Sequence, residues 1–163
     1  NESMRKIILT LISIISMYSV SAQKYTDTYI KDANKVALAW LNDVNHEQYE
    51  NAYNLLSKEW KQSVKQEGWI ELMNDLMLEF GGINSRKVTQ TYFQSEIEQL
   101  EDGFYVFIHY DVNYKNTKEH TENLLLKQND KSKWEILHYN YEFKNKEDDT
   151  PRNIPSKKEE ELD

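Results

Sequence analysis

Two pairs of residues at alternate spacing carry the most specific chemistry in the chain: His109 with Asp111, and His120 with Glu122. Residues two apart share one side of a β-strand. Brought together by one hairpin, the two imidazoles and two carboxylates would make a metal site or an acid–base pair. Register decides whether they meet. A two-residue turn at Asn116-Thr117 sets Asp111 opposite Glu122 and Asn113 opposite His120. A three-residue loop sets Tyr110 opposite Leu124 and Ile108 opposite Leu126, and sends the two pairs to opposite faces. Hydrophobic matching favours the second arrangement, because Phe104, Val106, Ile108 and Tyr110 need apolar neighbours. Both pairs are then expected as solvated surface residues.

His138 is the remaining candidate base. It lies between Ile136 and Asn140 on the last strand, flanked by Tyr139 and Tyr141. A catalytic histidine needs an orienting carboxylate, and Glu135 and Glu142 do not both share its face, so a structural role is favoured. Trp40, Trp60 and Trp69 fall on apolar helical stripes and read first as core. The aromatic supply nevertheless exceeds what a core needs, and tyrosines can line a pocket with hydroxyls turned inward. Ser85-Arg86-Lys87 either cradles an anion or opens a strand with solvated charges, the latter being favoured. No glycine-rich phosphate loop, paired-carboxylate spacing or Ser-His-Asp order is present.

The elements that must position these groups follow from periodicity. Ile30, Ala33, Ala37, Trp40, Leu41 and Val44 recur at helical steps and predict a helix over 27–44. Asn45 with Gln48 resembles a capping box for a second helix over 46–65, carrying Tyr49, Ala52, Tyr53, Leu56, Trp60 and Val64. Ser57 can cap a restart within it. A third stripe, Trp69, Leu72, Met73, Leu76, Met77 and Phe80, ends at Gly81-Gly82. Beyond Gly82 the period becomes two, predicting strands over 85–97, 104–114, 119–128 and 133–143. Helices followed by a four-strand antiparallel meander give an α+β fold: about three N-terminal helices packed on one face of a curved sheet.

The 163 residues carry a net charge of −8, with the basic residues scattered, which argues against nucleic acid and anionic lipid as partners. No cysteine is present, so no disulfide, thiolate metal site or lipid-modified cysteine is available. Residues 4–22 read as a cleavable export signal: Arg5-Lys6, an apolar run to Val20, then Val20-Ser21-Ala22 with Gln23 as the mature N-terminus. Residues 1–3 read as a frame remnant before Met4. One domain is expected over 25–143. Residues 144–163 hold both prolines and are almost wholly polar, as in a disordered charged tail.

The order of landmarks resembles a family of secreted bacterial proteins, domain of unknown function 4019. The matching residues are Ala39-Trp40-Leu41 with Asp43, Tyr49, Tyr53, Trp60-Lys61, Val64, Trp69 and Gly81. Ser85-Arg86-Lys87, Tyr92, Gly103, Tyr105-Val106, Tyr110, Trp134, Tyr139 and Tyr141 continue the match, which covers about residues 33–143. Leu78-Glu79-Phe80 departs from the Pro-Leu pair expected before Gly81. The resemblance implies a cystatin-like or nuclear-transport-factor-2-like cone and assigns no activity; such cones host enzymes, carriers and interaction modules alike.

The resulting expectation is a non-enzymatic domain exported to the periplasm or cell exterior of a bacterium. It would bind a small ligand or a protein through the concave sheet face, lined by Trp69, Tyr110, His138 and Tyr139. It needs no cofactor and no metal, and keeps no stable membrane anchor after cleavage. The alternatives are an isomerase- or hydratase-like enzyme using a cavity histidine, and a module that forms a homodimer through the exposed sheet.

Overall fold

The computed structural model describes residues 25–143. The leader expected over 4–22, the remnant 1–3 and the tail expected over 144–163 lie outside them. Residues 25–45 form helix α1, which buries Ala33, Ala37, Trp40, Leu41 and Val44 along the expected stripe. The second apolar stretch is two short helices, α2 (Tyr49–Asn54) and α3 (Lys58–Ser63). Ser57 makes the division: its hydroxyl accepts from the Trp60 amide at 3.2 Å and caps α3. Asn45 does not open α2 as expected. It ends α1, and the N-cap position of α2 falls to Gln48, which makes no side-chain cap bond.

Helix α4 (Gln66–Phe80) buries Trp69, Met73 and Phe80 and stops at Gly81. Gly81 has φ 75° and ψ −168°, a backbone region open essentially to glycine alone. The sheet follows as β1 (Ile83–Gln94), β2 (Tyr105–Tyr114), β3 (His120–Gln128) and β4 (Trp134–Phe143), antiparallel in the order β1-β2-β3-β4. The described residues thus form an α+β fold, with four helices among them where about three were expected.

One sheet face packs on the helices. Val106, Ile108, Tyr110, Val112 and Tyr114 of β2 and Leu124 and Leu126 of β3 join the helical stripes in a single apolar cluster. Two strands carry bulges inside their pairing: Asn84 and Thr89 are the extra residues in β1, and Leu137 in β4. Each bulge bends its strand and resets which side chains face inward. Before the β4 bulge, Trp134 and Ile136 are buried; after it, Tyr139 and Tyr141 pack against the core. Phe104, expected at the head of β2's inward row, precedes the strand and stacks on Tyr29 at 4.9 Å.

Neither register foreseen for the β2–β3 hairpin occurs. Tyr110 pairs with Glu122, Ile108 with Leu124 and Val112 with His120. Residues 115–119 form the connection, and its backbone is tied to the end of α4: Lys115 N–H donates to Gly82 O and Asn116 N–H to Phe80 O. The sidedness of the favoured register holds, because a shift of two residues preserves it.

Candidate functional site

That sidedness has a consequence the surface reading of His120 and Glu122 overlooked. Leu124 and Leu126 face the helices, so His120 and Glu122 must face them too, and both are fully buried. His109 and Asp111 lie on the opposite side of the sheet, where the His109 ring bonds to Asn123. The four groups therefore do not converge. Among the described residues, no group of three or more His, Asp or Glu side chains is placed to hold a metal.

Glu122 is the centre of a largely buried polar network. Arg86 Nε donates to Glu122 Oε2 at 2.7 Å, and its Nη2 donates to the Tyr114 hydroxyl at 2.7 Å. The Tyr114 and Tyr139 hydroxyls both donate to Glu122 Oε1, at 2.7 and 2.9 Å. The Arg86 guanidinium also lies 6.0 Å from the Tyr110 ring centre and 5.8 Å from that of Tyr114. Three strands and β4 each contribute: Arg86 from β1, Tyr110 and Tyr114 from β2, Glu122 from β3, Tyr139 from the far side of the β4 bulge. The helices close it from above, with Trp40 of α1 5.1 Å from Tyr139 and 6.4 Å from Trp69 of α4.

Burial and charge set the protonation states. Burial works to lower the Arg86 pKa, but the attraction and hydrogen bond of Glu122 outweigh it and hold the guanidinium above its ordinary value. Burial pushes the Tyr110 hydroxyl up to about 12. Tyr114 and Tyr139 are raised as well, by burial first and the Glu122 charge second. The tyrosines are thus fixed as neutral donors. None is a ready base.

Around this satisfied centre lie unsatisfied groups. The indole N–H of Trp40 and of Trp69 and the hydroxyl of Tyr110 are buried without a hydrogen-bond partner. Both ring nitrogens of His120 share that condition, in a cage of Phe80, Tyr114, Tyr141 and Phe143. Burial lowers the His120 pKa against the opposing pull of Glu122, so its ring is held neutral at pH 7. Buried polar groups without a partner are uncommon, so this cluster makes the core between helices and sheet the candidate site.

Of the four residues expected to line a cavity, Trp69, Tyr110 and Tyr139 belong to the one apolar cluster between helices and sheet. His138 does not. It pairs with Leu125 and is exposed, 6.3 Å from the Trp60 ring, because only one of two adjacent strand residues can face the helices. Arg86, expected among solvated charges, is instead largely buried and paired. Sequence reasoning missed Arg86, Glu122, Tyr114 and His120 as members of one cluster. The signal was the run His120-x-Glu122-x-Leu124-x-Leu126: inward leucines require an inward carboxylate, and Arg86 is the only arginine between residues 25 and 143.

No curated protein and no solved structure shows significant similarity to the chain. A family model matches residues 36–139, a span that holds Trp40, Trp69, Arg86, Tyr110, Tyr114, His120, Glu122 and Tyr139. The chain belongs to the family described as Protein of unknown function (DUF4019).

Proposed function

We propose that the protein is a non-enzymatic, exported binding domain whose inner sheet face takes a small ligand rich in hydrogen-bond acceptors. One observation carries the reading: Trp40, Trp69 and Tyr110 hold unpartnered donors around the buried Arg86–Glu122 pair. Donors without partners suit a carboxylate or a carbonyl oxygen. The enzyme alternative lacks comparable support, since His138 is exposed and neither nitrogen of His120 touches a carboxylate. Export rests on the leader-like segment 4–22. Among the described residues, no helix is long and apolar enough to cross a membrane.

The test uses acetate, benzoate and benzamide as probes, read by tryptophan fluorescence and thermal unfolding. Binding of at least one probe is expected to raise the unfolding temperature and change the fluorescence. Tyr110→Phe should weaken it about tenfold, the value of one lost hydrogen bond. Benzoate against benzamide tells a carboxylate from a neutral carbonyl. No response to any probe, or a response indifferent to Tyr110→Phe and Trp69→Phe alike, overturns the reading.

A further inference from the structure

The sheet face turned away from the helices is crossed by three side-chain rows fixed by the pairing register. Reading from β1 to β4, they are Lys87–Asp111–Thr121–Glu142, Gln90–His109–Asn123–Asn140 and Tyr92–Phe107–Leu125–His138. The last row is apolar and aromatic, with Tyr92 and Phe107 stacked at 4.7 Å and 10°. Of the described helices, α3 alone reaches these rows, at one corner, where Trp60 lies 6.3 Å from His138. The fourth row, at Tyr105 and Lys127, is closed by the loop before β2 and by Glu59, which pairs with Lys127 at 2.8 Å.

These rows are complementary to themselves. A twofold axis along the strand direction, between β2 and β3, turns β1 of one copy over β4 of another and keeps each row in place. Lys87 then meets the second copy's Glu142, Phe107 meets its Leu125, Tyr92 meets its His138, and His109 meets its Asn123. Opposite charges pair, apolar groups pair, and no like charges face each other. An axis across the strands would press the charged row onto the aromatic one, at a desolvation cost. The geometry points to a homodimer built face to face through this open side of the sheet, along the strand-parallel axis.

The three rows offer roughly 400 Å² per copy from strand spacing and rise, small for a specific interface. The dimer is accordingly weak, with a dissociation constant of about 1–100 µM. Sedimentation velocity on the chain from Gln23 to Asp163, from about 1 to about 500 µM, should give a reversible monomer–dimer equilibrium. Phe107→Glu should abolish it. Lys87→Glu and Glu142→Lys should each weaken it about tenfold, and the two combined should recover most of the loss. A monomer throughout overturns the proposal, as does a dimer indifferent to Phe107→Glu. So does a charge swap without recovery, which leaves no place for the proposed axis. Loss of the dimer on removing residues 144–163 also overturns it, by assigning association to that segment.

Discussion

Glu122 shows how one buried charge commits several other residues. Its carboxylate accepts from Arg86, Tyr114 and Tyr139, so both of its oxygens are hydrogen-bonded in a low-dielectric interior. Removing Arg86 alone would strand that charge. Arg86→Met is expected to cost about 3–5 kcal/mol, and the double variant Arg86→Met with Glu122→Leu considerably less than either change predicts by addition. Urea unfolding of the three variants checks this; additive losses would mean that the two side chains act independently. Tyr110 makes the opposite case. Its hydroxyl has no partner, so Tyr110→Phe should leave stability at neutral pH unchanged or slightly raised. The sequence displayed all these residues without displaying the network. Alternation marked Glu122 as inward, but a charged residue weighs against burial in any local reading, and only the three-dimensional pairing brings Arg86 across two strands to meet it.

At the scale of elements, what was legible had a period. The stripe from Ile30 to Val44, the break at Ser57, the stop at Gly81 and the four strands all follow from spacing and cap chemistry within a few residues. What was not legible was phase. The bulge at Leu137 inserts one residue without any sequence mark, and it alone exchanges His138 for Tyr139 on the inner face. The five-residue connection 115–119 is likewise set by its anchoring to the end of α4, which no hairpin rule contains. Two local devices can be tested directly. Ser57→Ala should destabilise by about 1 kcal/mol through the lost cap. Gly81→Ala should cost more, about 1–3 kcal/mol for the backbone alone. A Cβ there would also come within 2.9 Å of the Asn116 side chain, loosening the anchor of the β2–β3 connection. Denaturant midpoints order the two variants, and a Gly81→Ala chain as stable as the parent would contradict the strained geometry.

For the molecule as a whole, the buried titratable groups predict a stability plateau with two edges. The folded pKa of His120 is lowered below its ordinary 6.5, so the unfolded chain binds a proton that the native ring refuses. The stability this provides is complete above pH 6.5 and is lost as pH falls through the unfolded and then the folded value, with a slope of up to ~1.4 kcal/mol per pH unit. Tyr110, Tyr114 and Tyr139 act with the opposite sign. Their folded pKa values are raised above 10.0, so their contribution is complete below pH 10 and is lost as pH rises past it. Tyr49, Tyr105 and Tyr141 are raised as well, by burial first, so several groups acting together make the alkaline edge the steeper one. Urea midpoints measured from pH 4 to pH 12 should therefore fall gently below about 6.5 and sharply above about 10. His120→Phe keeps the aromatic cage and removes the proton site, so it should flatten the upper part of the acid edge and leave the alkaline edge intact. Tyr110→Phe should do the reverse, easing the alkaline edge and leaving the acid edge intact. If His120→Phe instead retains the full acid edge, carboxylates elsewhere set it, and the unpartnered imidazole is a packing feature with no hold on the folding equilibrium.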